Sequence, residues 1–150
     1  MPQKTTLVLI KPQSVHHLVR ILNMLTSDGL RVTGIVTTRP TLQMVEDHYQ
    51  EHTGKDYFPW LCKQLHGHPV IAIAVTGENA VARVREIVGD WKPEKAAPGT
   101  IRELGRFTTD TSAASREGRR AVDNVVHATS SDKDAERELK IWLRAEEFLV

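Results

Sequence analysis

Lys11, Arg85, Arg102 and His127 are the side chains of this 150-residue chain whose types and positions suit a phosphate ligand: three cations and one imidazole, a group that titrates near neutral pH. Lys11 directly follows the apolar run Thr5-Thr6-Leu7-Val8-Leu9-Ile10. If that run is a strand, the ammonium leaves at the carboxyl end of a sheet, where ligands collect in α/β folds. Arg85 falls in a helical pattern, Arg102 follows Pro98-Gly99-Thr100-Ile101, and His127 ends a short strand-like run from Val122. Singly, each such residue is more often a solvated or satisfied side chain, so the elements that carry them decide whether they meet.

Thr5–Ile10 is too short and too β-branched for a helix, and Val15–Ser27 carries Leu18, Ile21, Leu22 and Leu25 at helical spacing before Asp28-Gly29. Leu30–Thr38 predicts a second strand with Val32, Gly34 and Val36 on one face; Pro40 and Thr41 open a helix through Leu42, Val45 and Tyr49. Asp56–Leu65 predicts another helix, Pro69–Val75 the clearest buried strand, and Gly77–Val88 a helix stopped by Gly89. From Asp90 to Asp123 periodicity vanishes, and a loop of that length in one domain is functional or disordered. Asp132–Arg144 predicts a charged amphipathic helix. The order βαβααβα, long loop, βα implies an α/β sandwich with helices against one sheet.

Composition narrows the function classes. A formal net charge of +1 gives no field for recruiting nucleic acid, and no specific nucleic-acid partner is expected. No apolar run approaches the roughly 20 residues of a membrane helix, and Lys4 leads into a strand pattern rather than a signal peptide. The single cysteine, Cys62, fits a reducing compartment as a small half-buried side chain, so the expectation is a cytoplasmic single domain over 1–150. His66 and His68 lack an acidic or thiol partner nearby, and His48 and His52 lack a third ligand, so no directly held metal is expected.

Seven fragments, in order, resemble the nucleoside diphosphate kinase family across nearly the whole chain. They are Leu9-Ile10-Lys11-Pro12; Tyr49 with Lys55-Asp56-Tyr57-Phe58; His68-Pro69-Val70; and Gly77-Glu78-Asn79-Ala80-Val81 with Arg85 and Gly89. Pro98-Gly99-Thr100-Ile101-Arg102, Asn124-Val125-Val126-His127 and Ala135-Glu136-Arg137-Glu138 complete the set. The resemblance implies a ferredoxin-like βαββαβ core, with a four-stranded antiparallel sheet and a long loop before the active-site strand. It also implies a ping-pong reaction in which His127 takes the γ-phosphoryl group of a nucleoside triphosphate and passes it to a nucleoside diphosphate. Neutral imidazole is nucleophilic without a strong base, and the moving phosphoryl group needs charge and donors around it. By carry-over, Glu138 orients the ring, and Lys11, Tyr49, Arg85 and Arg102 surround the phosphates. Asn124 reaches the ribose, Tyr57 stacks on the base, and Mg²⁺ rides on the phosphates. Homo-oligomers (dimer, tetramer or hexamer) follow from the same resemblance.

The sequence departs from the family in four places. After His127 it reads Ala128-Thr129-Ser130-Ser131-Asp132 where the family has Gly-Ser-Asp, so either Thr129 takes the supporting serine's place or Ser131-Asp132 is the displaced pair. Trp91 stands at a phosphate-contacting threonine, and Asp123 where arginine is common. About a dozen extra residues form a polar insertion around 106–121, too small and polar to order itself, with Arg116, Arg119 and Arg120 read as a solvated basic loop or as reaching a ligand phosphate. Two other functions stay open: a catalytically weak nucleotide-binding or regulatory relative, and a phosphotransferase specialised for one pathway's nucleotide.

Overall fold

The structure is a computed structural model that describes residues 2–106 and 110–143. Its sheet has four strands, all antiparallel, in the order β2-β3-β1-β4: β1 Gln3–Ile10, β2 Arg31–Thr38, β3 Val70–Glu78 and β4 Val126–Ala128. The helices are α1 Leu18–Leu25, α2 Leu42–His48, α3 Phe58–Leu65, α4 Ala80–Val88, α5 Ser112–Glu117 and α6 Asp132–Trp142. The antiparallel sheet with helices interleaved matches the expected core, and the helices pack on both faces. Val8, Ile10, Ile73 and Val75 face α1 and α4, while Leu7, Leu9, Ala72 and Ala74 face α2, α3 and α6. Burial on both sides is why β1 and β3 read as unbroken apolar runs instead of alternating ones.

Several boundaries move, each for a physical reason. β3 continues past Val75 to Glu78 because Thr76, Gly77 and Glu78 find ladder partners in Thr5, Lys4 and Gln3, which delays α4 to Ala80. The chain from Pro12 to His17 winds as a 3-10 turn before α1, so the first helix is shorter than its apolar spacing suggests. α3 begins at Phe58, two residues late, after a turn held by Phe58 N–H to the Lys55 carbonyl at 3.1 Å. In β2 the register jumps between Val32 and Gly34, a bulge at Thr33. It places Val32 beside Val75 on the α1/α4 face, while Gly34 and Val36 sit across from Ala74 and Ala72 on the other, so these three residues do not share a face. α6 runs to Trp142; Arg144, where the sequence ends this helix, lies outside the described residues.

The two largest corrections lie beside the site. β4 spans three residues where Val122–His127 predicts six, because the chain turns first: Val126 N–H bonds the Asn124 carbonyl at 2.8 Å, with Val125 at φ 72°. The insertion, expected to be without order of its own, contains α5; its residues Phe107, Thr108 and Thr109 lie outside the described residues.

Candidate active site

The register of β4 decides where His127 points. His127 lies opposite Leu9, and facing residues of an antiparallel pair project to the same side, so the imidazole enters the α2/α3/α6 face. α6 meets it there with Glu138: His127 Nε2 is 2.6 Å from Glu138 Oε1. Thr129 Oγ1 lies 3.0 Å from the same carboxylate oxygen and 3.2 Å from the Leu7 carbonyl, so its one hydrogen is shared between them. Ser131 has a different task. It caps α6, its hydroxyl oxygen accepting from Asp134 N–H at 3.1 Å. Thr129 is thus the hydroxyl beside the glutamate, and Ser131-Asp132 begins a helix.

Three further residues shape this corner without having been singled out for it. His48, in the last turn of α2, sets its ring edge-to-face against His127 with centroids 4.4 Å apart. Trp142 Nε1–H donates to His48 Nδ1 at 3.1 Å, which places the proton of neutral His48 on Nε2. Burial, chiefly, and the neighbouring His127 hold His48 well below the ordinary histidine range. His48, His127 and Glu138 form the one metal-ligating cluster among the described residues, but the nitrogen His48 could offer, Nδ1, is the one Trp142 occupies. Arg137 closes the outer side, donating to the Asp47 carbonyl at 2.8 Å and standing 3.7 Å from Glu138 Oε2. The available signal was the i, i+3 spacing of Val45 and His48, which puts the histidine on the buried stripe of α2. His52, the other half of that pair, turns elsewhere and bonds the Tyr57 hydroxyl at 2.7 Å.

The cations close the ring from the opposite side. Lys11 leaves the end of β1, its N–H bound to the Val125 carbonyl at 3.0 Å, and its ammonium donates to Asn124 Oδ1 at 2.7 Å and the Val122 carbonyl at 3.2 Å. Asn124 is held at its other end too, Nδ2 donating to the Trp91 carbonyl at 2.8 Å. Arg102 is buried and donates to the carbonyls of Gly89 and Val126 at 2.9 and 3.1 Å. Gly89 is needed for this: at φ +91° a Cβ there would meet Thr100 at 2.7 Å. Arg85, on α4, reaches the Ala128 carbonyl at 3.5 Å. Burial first, then Arg102, lowers the Lys11 ammonium to about 7, against the upward pull of Asp123. The carboxylate in the usual place of an arginine thus helps keep Lys11 protonated. Burial and Arg85 bring Arg102 down to about 10.

His127 feels all of these. Burial, then Lys11, Arg102, Arg85 and Arg137, drive its pKa down to about 3, outweighing the close carboxylate. Glu138 is itself pushed up by burial, with His48, Thr129 and Arg137 opposing. The arrangement is a neutral imidazole whose Nε2–H donates to Glu138, leaving Nδ1 with the free lone pair. Val125, a β-branched residue in the left-handed region within a γ-turn, stores strain two residues before His127.

A cavity of about 450 Å³ adjoins the cluster, lined by Lys11, Tyr49 and Asn124 and by Tyr57, Trp60, Leu61 and Trp91. Lys11, Tyr49, Tyr57, Trp91 and Asn124 thus share one space, while Arg85, Arg102, His127 and Glu138 are not on its wall. Trp91 lines it while 52% exposed. The insertion lines it as well, through Ser112, Arg116 and Arg120; the two arginine side chains are more than half exposed and pair with Asp56 and Asp110.

Comparison with known proteins agrees with this geometry. The nucleoside diphosphate kinase family model matches residues 4–148. A nucleoside diphosphate kinase of Thermoanaerobacter is 36% identical over 141 residues, covering 93% of this chain and 96% of its own. That of Thermus thermophilus is 34% identical, with 96% and 98% covered. A Borrelia burgdorferi nucleoside-diphosphate kinase, solved as a transition-state mimic with vanadate and ADP, superposes with a TM-score of 0.89 at 26% identity, over 99% of this chain and 91% of that one. A Pyrobaculum aerophilum NDP kinase gives 0.89 at 27%, over 99% and 100%.

Proposed function

This chain belongs to the nucleoside diphosphate kinase family, and we propose that His127 is the group that carries the phosphoryl between its two nucleotides. The enzyme transfers the γ-phosphoryl group of a nucleoside triphosphate to a nucleoside diphosphate. The observation that carries the assignment is the His127–Glu138 pair at 2.6 Å, with the buried cations Lys11 and Arg102 nearby.

In the first half-reaction, His127 Nδ1 attacks the γ-phosphorus, the bond to the bridging oxygen breaks, and a nucleoside diphosphate leaves. In the second, the terminal phosphate oxygen of an acceptor diphosphate attacks the same phosphorus, and the P–N bond breaks to return the lone pair to Nδ1. Phosphorylation gives the ring imidazolium character, which the Glu138 carboxylate stabilises while Thr129 steadies that carboxylate. Lys11, Arg85 and Arg102 neutralise charge on the phosphate oxygens; Tyr49 bounds the same space, and Asn124 holds Lys11 in place and lies toward the ribose. Tyr57 offers a face to the base. Mg²⁺ carried on the nucleotide would supply further positive charge, with Lys11, Arg85 and Arg102 holding the phosphates that bring it. Its fit rests on donor chemistry: the one cluster of ligating residues among those described is imidazole-rich, unlike the all-oxygen shell Mg²⁺ takes, so the cation needs the nucleotide's oxygens.

Self-association as dimer, tetramer or hexamer belongs to the same reading, supported by Val19 and Ile35, 72% and 45% exposed, the latter on edge strand β2. No described helix is long and apolar enough to cross a membrane. A cytoplasmic site of action is supported by the free thiol of Cys62. The test of the reaction is an initial-rate study with ATP as donor and a second nucleotide as acceptor. A carrier histidine gives parallel double-reciprocal lines, and intersecting lines would instead require both nucleotides bound at once.

The pKa of Lys11 gives a pH signature. A polyphosphate site needs the ammonium, so kcat/KM, which reports the free enzyme, falls by about tenfold per pH unit above about 7. The kcat limb lies at higher pH, because bound phosphates favour the charged form. With His127 neutral down to about 3, no acid limb from the nucleophile appears near neutrality. Lys11→Arg removes the alkaline limb of kcat/KM; a limb that stays in place assigns it to another group.

A further inference from the structure

The insertion is attached beside the cavity at two places and holds its own turn between them. Glu94, three residues after Trp91, accepts from Ser112 N–H at 3.1 Å and Ser112 Oγ at 2.5 Å, and Thr111 caps α5 through Ala114 N–H at 3.1 Å. Ser115 is 2% exposed beneath the helix. α5 then ends with Arg119 at φ 56° and Arg120 N–H returning to the Ser115 carbonyl at 2.9 Å, a left-handed stop normally left to glycine. On the far side, Arg116 donates to Asp56 Oδ2 at 2.8 Å and lies 5.8 Å over the Trp60 ring, tying α5 to the start of α3.

These attachments fix which end of the cavity the insertion serves. Lys11 and Asn124 mark the end next to His127, where phosphates belong. Tyr57 and Trp60 also line the cavity, and there a ring can lie on an aromatic face. Arg116 is anchored beside these aromatic faces, by Asp56 next to Tyr57 and by the Trp60 ring. A stacking face is tolerant of base identity; a guanidinium is not, because its paired donors match two adjacent acceptors in one plane. Asp56 takes one donor of Arg116, and the side chain is 63% exposed, so its fork remains presented to the cavity.

We propose that Arg116 is a base-reading residue that makes this enzyme favour diphosphates of 6-oxopurines, whose O6 and N7 are adjacent acceptors, over adenine and the pyrimidines. Adenine sets an amino group beside N7, and cytosine carries an amino group in place of the oxygen. Asp56 and Trp60 act as positioning residues that hold the guanidinium in plane.

The inference rests on the nucleoside diphosphate kinase reading, and single-turnover discharge keeps the two separable. Phosphoenzyme made from the full chain and freed of nucleotide is mixed with subsaturating GDP, IDP, ADP, UDP, CDP or 7-deaza-GDP, and loss of protein-bound phosphate is followed. GDP and IDP discharge it about ten- to a hundredfold faster than ADP, CDP and UDP. Removing N7 in 7-deaza-GDP forfeits most of that advantage. Arg116→Gln brings the GDP-to-ADP ratio to near one, and Asp56→Asn lowers it part of the way by loosening the same guanidinium. Equal discharge by every diphosphate, a 7-deaza analogue as good as GDP, or a ratio that survives in Arg116→Gln overturns the proposal while leaving the transfer reaction standing. Failure to form phosphoenzyme at all overturns the function on which it rests.

Discussion

His127→Ala binds nucleoside diphosphate nearly as the parent chain does and transfers phosphate at least about 10⁴-fold more slowly. The two effects separate because the residues that hold the phosphates and the atom that attacks them are different. Lys11 is fixed by Asn124 and the Val122 carbonyl, and Arg102 by the carbonyls of Gly89 and Val126, none of which is the imidazole. The neutral ring carries no charge that these cations need, so the cation set itself has no reason to disperse. Titration calorimetry with a diphosphate and a coupled product assay read the two quantities on one preparation. A variant that keeps more than a tenth of the parent rate removes His127 from the mechanism.

Glu138→Gln lowers turnover by roughly ten- to a thousandfold, the range of an orienting, proton-linked partner. The carboxylate accepts from His127 Nε2 and is close to Thr129 Oγ1, so one group sets both the tautomer and the ring plane. Both donors meet Oε1 while Oε2 faces Arg137, so an amide must turn its NH₂ either toward that guanidinium or toward Nε2, where it would select the opposite tautomer, with the proton on Nδ1 where the lone pair is needed. Stability moves the other way. Burial raises the folded-state pKa of Glu138 above its unfolded value, so the folded chain binds the proton more tightly and loses stability as pH rises through that window. A neutral amide does not bear this cost. The variant therefore melts at the same temperature or higher near neutral pH while turning over more slowly, a combination that loss of fold cannot produce. An unchanged rate returns Glu138 to a purely structural role.

What the sequence made legible follows from how each element is stabilised. β1 and β3 are buried on both faces, and Lys11 at the end of β1 needed only that strand to be placed. Thr129 and Glu138 could be placed relative to His127 because β4 and α6 adjoin in the chain. The bulge at Thr33 was not legible, since one extra residue in β2 is defined by its pairing with β3 and by nothing local. Neither was the γ-turn at Val125, where a β-branched residue takes a backbone it disfavours because Lys11 and β1 hold it there. His48 is a tertiary residue in the same sense: α2 and α6 must pack before it lies between His127 and Trp142. The insertion was misread because its composition is that of a solvated segment. Its order comes from Glu94, Asp56 and Trp60, which are distant in sequence and supply what a six-residue helix cannot supply for itself.

The most direct test of His127 as the phosphoryl carrier is to map the phosphate on the enzyme itself. The chain is incubated with ATP labelled in its γ-phosphate, freed of nucleotide, and the label's chemistry and position are determined. The predicted result is a label stable in base and labile in acid, on the peptide containing Asn124-Val125-Val126-His127, and discharged by added nucleoside diphosphate. Label on any other residue, or label at His127 that a diphosphate cannot remove, would contradict the account.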